Sequence, residues 1–146
     1  KRKQCILTLN STLQKKKKPP ESKPAEYRFI TRTRFDENSQ TEFSLLILET
    51  TRVFRSFRYH LLVKEQHDKK SFSFAIEGLS MSRLSIPETG PASFIKEFPL
   101  LKGEYNFSVF DLNKVETSFV IKFSKGIGKI ILEPSRPFVE LAVNEE

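Results

Sequence analysis

The sequence predicts an all-β protein, an antiparallel β-sandwich of about 7–9 short strands behind a basic N-terminal arm. Three observations lead there. Apolar and polar residues alternate with period two in several short stretches, as half-buried strands require. Clusters of Asp, Asn, Gly and Pro separate these stretches at intervals suited to tight turns. The aromatic content is almost wholly Phe, with 14 Phe against three Tyr and no Trp. A chain of 146 residues has the size of one domain, large enough to bury roughly 68–70% of the surface its unfolded form exposes.

Taken in chain order, Cys5 to Leu9 alternates as a short edge strand would. Lys15-Lys16-Lys17-Lys18-Pro19-Pro20 follows, with Pro24 beyond it. Adjacent ammonium groups repel one another and prolines remove backbone donors, so residues 11–25 read as an extended linker. The expected division is therefore an arm over 1–26 and a single domain over 27–146. Tyr27, Phe29, Thr31, Thr33 and Phe35 share one face of the first strong strand, with Arg28, Arg32 and Arg34 on the other. Asp36 to Ser39 supplies turn chemistry. Phe43 to Leu48 is apolar on both faces and reads as a central strand. Val53 to Val63 alternates and pairs through the turn His67 to Lys70 with Phe72, Phe74 and Ile76 as a hairpin. The spacing of Phe43, Ile47, Thr50, Phe54, Phe57 and Leu61 also fits one face of a helix, but β-branched content and the hairpin pattern favour strands.

Residues 78–103, with Gly78, Pro87, Gly90, Pro91, Pro99 and Gly103, read as an irregular crossover in which Leu84 to Ile86 and Phe94 to Phe98 form short strands. A second hairpin joins Tyr105, Phe107 and Val109 to Phe119, Ile121 and Phe123 through a turn near Asp111 to Lys114. After the turn at Lys125 to Gly128, Ile130 to Leu132 and Phe138 to Val143 are closing strands.

The formal net charge of +7 is unevenly placed. Residues 1–34 carry 11 Lys and Arg against two Glu, whereas residues 35–146 carry 14 against 16 Asp and Glu. Lys15, Lys16, Lys17 and Lys18, joined by Arg28, Arg32, Arg34, Arg52 and Arg58, form the candidate nucleic-acid or anion-binding set. Phe54 lies among the last of these as a candidate base-stacking ring. A solubilising linker and ordinary solvent-side arginines are the competing explanation.

Leu101-Lys102-Gly103-Glu104-Tyr105-Asn106-Phe107-Ser108-Val109 resembles the entry to a late strand of immunoglobulin-like sandwiches. The resemblance implies that Tyr105 stands as a corner tyrosine two residues before the inward core position Phe107. The cysteine pair and core tryptophan of antibody-type domains are missing from the sequence. Sandwiches of that class serve as adhesion, scaffold and carbohydrate-binding modules as well as parts of enzymes, so the fold alone chooses no function.

Catalytic chemistry finds little to work with. The usual bases reduce to His60 and His67, which read as a cross-strand neighbour and a turn residue. One cysteine, Cys5, excludes an intrachain disulfide and a thiolate-rich zinc site and points towards a reducing, cytoplasmic compartment. Asp36-Glu37-Asn38 lacks the ligand spacing of a calcium loop, and Gly126-Ile127-Gly128 lacks the helix start of a phosphate loop. No cofactor motif is present, and no apolar run is long enough for a transmembrane helix. The sequence therefore predicts a non-enzymatic interaction module that binds a protein partner through strand edges or the 78–103 crossover, with nucleic-acid binding through the basic arm and an Arg-rich strand face as the alternative.

Overall fold

A phenylalanine ring carries a large apolar area and no polar atom that must find a partner when buried. The centre of this protein is built from such rings. In the computed structural model, which describes residues 25–81 and 87–144, Phe29, Phe74, Phe107 and Phe119 are among the largest fully buried side chains. Lys15 to Lys18, the Cys5 to Leu9 segment and Leu84 to Ile86 lie outside the described residues.

The described residues form nine strands and no helix: β1 (Tyr27–Asp36), β2 (Thr41–Phe54), β3 (Tyr59–His67), β4 (Ser71–Met81), β5 (Gly90–Pro99), β6 (Gly103–Phe110), β7 (Glu116–Ser124), β8 (Ile127–Leu132) and β9 (Val139–Ala142). They make one sheet in the order β8-β7-β6-β4-β3-β5-β2-β1-β9. Pairing is mostly antiparallel, but β9 runs parallel to β1, β6 parallel to β4, and β5 parallel to β3. The all-β expectation holds, and the stretch between Phe43 and Leu62 is strand rather than helix on both sides of a break at residues 55–58. The layering is that of one open sheet curled into a half-barrel. Its bend lies where β3 and β5 share the single pair His60–Ser93.

The curl sets β1 over the opposite half of the sheet. Phe72, Phe107 and Phe119 are direct cross-strand neighbours on β4, β6 and β7, so their rings form a row 5.3 Å apart. Phe29 closes onto that row from β1, 5.1 Å from Phe107 and 5.2 Å from Phe119. Four buried hydroxyls fix the less regular parts of the chain. Thr31, Ser44, Thr50 and Thr117 each accept one main-chain N–H, from Asn144, Leu101, Ala92 and Arg136 respectively. Each bond gives a buried hydroxyl and a main-chain N–H a partner at once.

Several boundaries differ from the sequence reading. Val53 to Val63 is not one strand: β2 runs on to Phe54 through a bulge between Glu49 and Val53, and β3 starts at Tyr59. The crossover over 78–103 is more regular than expected, since β4 extends to Met81 and β5 is ten residues long. The expected turns fall in place. Asp36 accepts from the Asn38 N–H and the Ser39 hydroxyl, and these bonds, the hydroxyl's first, hold its carboxyl below the usual range. Asp111 accepts from the N–H groups of Asn113 and Val115. Lys125 and Gly126 take the two left-handed positions of a tight hairpin turn.

Candidate interaction site at the open end of the sheet

Among the described residues, the end of the half-barrel formed by the start of β1, the close of β2 and the close of β4 is open. Two features of the chain open it. The Asp111 carboxylate folds the chain back immediately after Phe110, so β6 pairs with β4 only as far as Ala75. β4 meanwhile continues to Met81 because β3 pairs with it throughout. Among the described residues, no strand covers residues 76–81 of β4 on the side that β6 leaves.

Cavities lie on both sides of that uncovered stretch. On the inner face, a cavity of about 420 Å³ is lined by Tyr27, Phe54, Leu61, Ile76, Leu79 and Leu112, with Glu26 and Arg52 at its polar margin. On the outer face, a groove of about 630 Å³ runs between Lys64, Ala75, Glu77, Phe110, Asp111 and Lys114. Ile76 and Leu112 border both. The rim is apolar and solvated: Leu79 is 45% exposed, Met81 49% and Leu112 59%. Concave apolar surface with a few polar groups is the usual form of a binding site, and exposed apolar clusters mark interaction surfaces.

The backbone at this end is irregular on two strands. In β2 the bulge is held by Thr50, whose hydroxyl donates to the Arg52 carbonyl (2.8 Å) and accepts from the Ala92 N–H (3.0 Å). The β3–β4 register shifts between Leu62 and Val63, opposite Gly78. Gly78 has φ 151°, and nothing lies within 4 Å of the place its Cβ would occupy. A glycine inside a strand marks a bulge or a place where another backbone approaches closely. Tyr27 sits at the inner wall, its phenol pushed above the ordinary range by burial first and by the charges of Glu26 and Asp111 next.

The arginines singled out in the sequence are only partly gathered. Arg28, Arg32 and Arg34 project from the outer face of β1, as their alternation implies. Acids from other strands stand among them. Arg28 pairs with Glu49 (3.5 Å) and Glu140 (3.3 Å), and Arg34 pairs with Glu97 at 2.7 Å. Arg58 pairs with Glu88 and lines one depression with Arg32 and Glu49. Arg52 lies at the open end instead, its guanidinium 4.9 Å over the Phe54 ring, which also packs against Tyr59. His60 is exposed on the outer face of β3, while His67 ends that strand with its ring against Phe72 and Phe98. Among the described residues, no group of three His, Cys, Asp or Glu is placed to hold a metal ion.

No family model, curated protein or solved structure matches the chain. Strand edges and the 78–103 region are the binding surfaces that the sequence suggests, and the first residues of that region prove to be the free part of β4.

Proposed function

We propose that this chain is a non-enzymatic interaction module that binds a protein partner through the open end of its curled sheet. The observation that carries the reading is the uncovered stretch of β4 with an apolar cavity on one side and a groove on the other. Against nucleic acid as the main partner of this domain stand the ion pairs of Arg28, Arg34 and Arg58, whose charges are already answered by carboxylates. Under the same proposal the domain is an immunoglobulin-like sandwich module. The doubled-over sheet supports this, with Phe107 fully buried and Tyr105 two residues before it, while the parallel pairs are a departure from that pattern.

The test compares the full chain with its Leu79→Lys, Leu112→Lys double variant in quantitative affinity capture, alongside labelled single- and double-stranded nucleic acid across a salt series. The reading expects a protein partner that the wild type retains and the variant loses, with circular dichroism unchanged. Equal retention by both proteins, or nucleic-acid binding that falls steeply with salt and is the sole binding seen, overturns it.

A further inference from the structure

We infer that the open end binds its partner by strand addition: an extended peptide segment with uncharged, apolar side chains at alternate positions pairs with residues 76–81 of β4. This rests on the protein-binding reading above and specifies the form the partner takes there.

The backbone makes the first demand. In β4, alternate residues point their N–H and C=O groups away from β3, and from Ser71 to Ala75 the parallel strand β6 lies on that side. Past Ala75 the Asp111 turn removes β6, so the edge of β4 continues, through the register shift opposite Gly78, without a described partner. Such a row of main-chain groups is a template for another strand. At Gly78 the space above the backbone is open, so nothing on that residue holds an incoming chain away.

The cavities make the second demand. Successive side chains of a strand point to opposite faces, and those on one face repeat about every 6.6–6.8 Å. A strand laid beside residues 76–81 therefore directs one set of side chains into the inner cavity of Leu61, Ile76 and Leu79 and the other towards the outer groove. Charges at the margins are balanced, Glu26 against Arg52 inside and Glu77 and Asp111 against Lys64 and Lys114 outside. With no net sign to complement and apolar walls to fill, the site favours uncharged residues, the larger ones facing inward.

The experiment uses the full chain and three synthetic peptide pools of about eight residues, a length that spans the free edge. The first alternates Val or Phe with Ser or Thr. The second has the same composition with its apolar residues in one block. The third is the alternating pool N-methylated at every second residue. Binding is followed by fluorescence anisotropy and by amide chemical shifts of β4. The alternating pool is expected to bind and to shift the amides of residues 76–81. N-methylation is expected to weaken it by about tenfold or more, because two or three main-chain hydrogen bonds are lost. Leu79→Lys is expected to weaken it comparably while leaving the thermal midpoint in place.

Equal binding of the N-methylated or blocked pool overturns strand addition while leaving a side-chain-binding interaction module standing. Absence of binding by every pool, with a protein partner still captured through Leu79 and Leu112, also overturns it. Shifts of the β4 amides that depend on protein concentration alone assign the edge to a second copy of the chain and overturn it too.

Discussion

The sheet has two kinds of unfinished edge, and they are treated in opposite ways. Where β8 and β9 end the sheet, the chain after β9 turns back across the gap. Asn144 receives the Gly128 N–H on Oδ1 and donates from Nδ2 to the Gly128 carbonyl, both at 2.7 Å, while its own N–H goes to the buried Thr31 hydroxyl at 3.0 Å. Before it, Ser135 and Arg136 bond along β7 at Ser118 and Thr117, and the Phe138 carbonyl accepts from the N–H groups of Glu26 and Tyr27. The terminal edges are thus bridged by one strap of chain. The free end of β4 has no such strap among the described residues, and it is flanked by cavities instead. A row of unpaired main-chain groups left open in this way is a template for pairing with another chain.

Removing the packing that both regions share should give the largest effect. Phe29→Ala empties the position where β1 meets β4, β6 and β7 and is expected to cost about 3–5 kcal/mol in urea denaturation. Asn144→Ala attacks the strapped edge alone. Loss of two side-chain bonds from a partly buried site should cost about 1–3 kcal/mol and speed hydrogen exchange in β8 and β9 while leaving β3 and β4 unchanged. An equal effect on both pairs would erase the distinction between the edges. Leu79→Lys, on the open edge, should change stability by no more than about 0.5 kcal/mol, because the side chain is solvated before and after.

A pH titration sharpens the same contrast. The phenol of Tyr27 is raised in the folded state, so its contribution is fully present below the ordinary tyrosine range of about 10 and is lost as pH rises through the higher folded value. Tyr27→Phe should flatten that alkaline loss, measured as the dependence of the unfolding midpoint on pH.

The elements that sequence reading located best are those whose signal is local. The alternations of Tyr27 to Phe35, Phe72 to Ile76 and Tyr105 to Val109, and the Asp111 and Gly126 turns, each rest on period-two burial or on one residue's turn chemistry. The break between β2 and β3 was missed because residues 55–58 contain no Gly, Pro, Asn or Asp. β5 was read as part of an irregular crossover because Pro91 and Pro99 sit inside its ends. The parallel pairings of β4 with β6 and of β9 with β1 depend on register between distant segments, which a one-dimensional pattern does not carry. The same limit applies to the charges. Arg28 meets an acid 112 residues away and Arg34 one 63 residues away, so a face that looks basic in the sequence is mixed in the fold. Which strand edge stays free was illegible for a related reason, since it is free because one strand outlasts its neighbour.

The most direct test of this difference is hydrogen exchange on the full, unliganded chain, read amide by amide at low protein concentration. The account expects the amides of residues 77–81 that point away from β3 to exchange at least about a hundredfold faster than the amides of β7 and of Gly128 at the strapped edge. Protection of residues 77–81 as strong as that of β7 would mean that the edge is already covered in the free protein, and would contradict it.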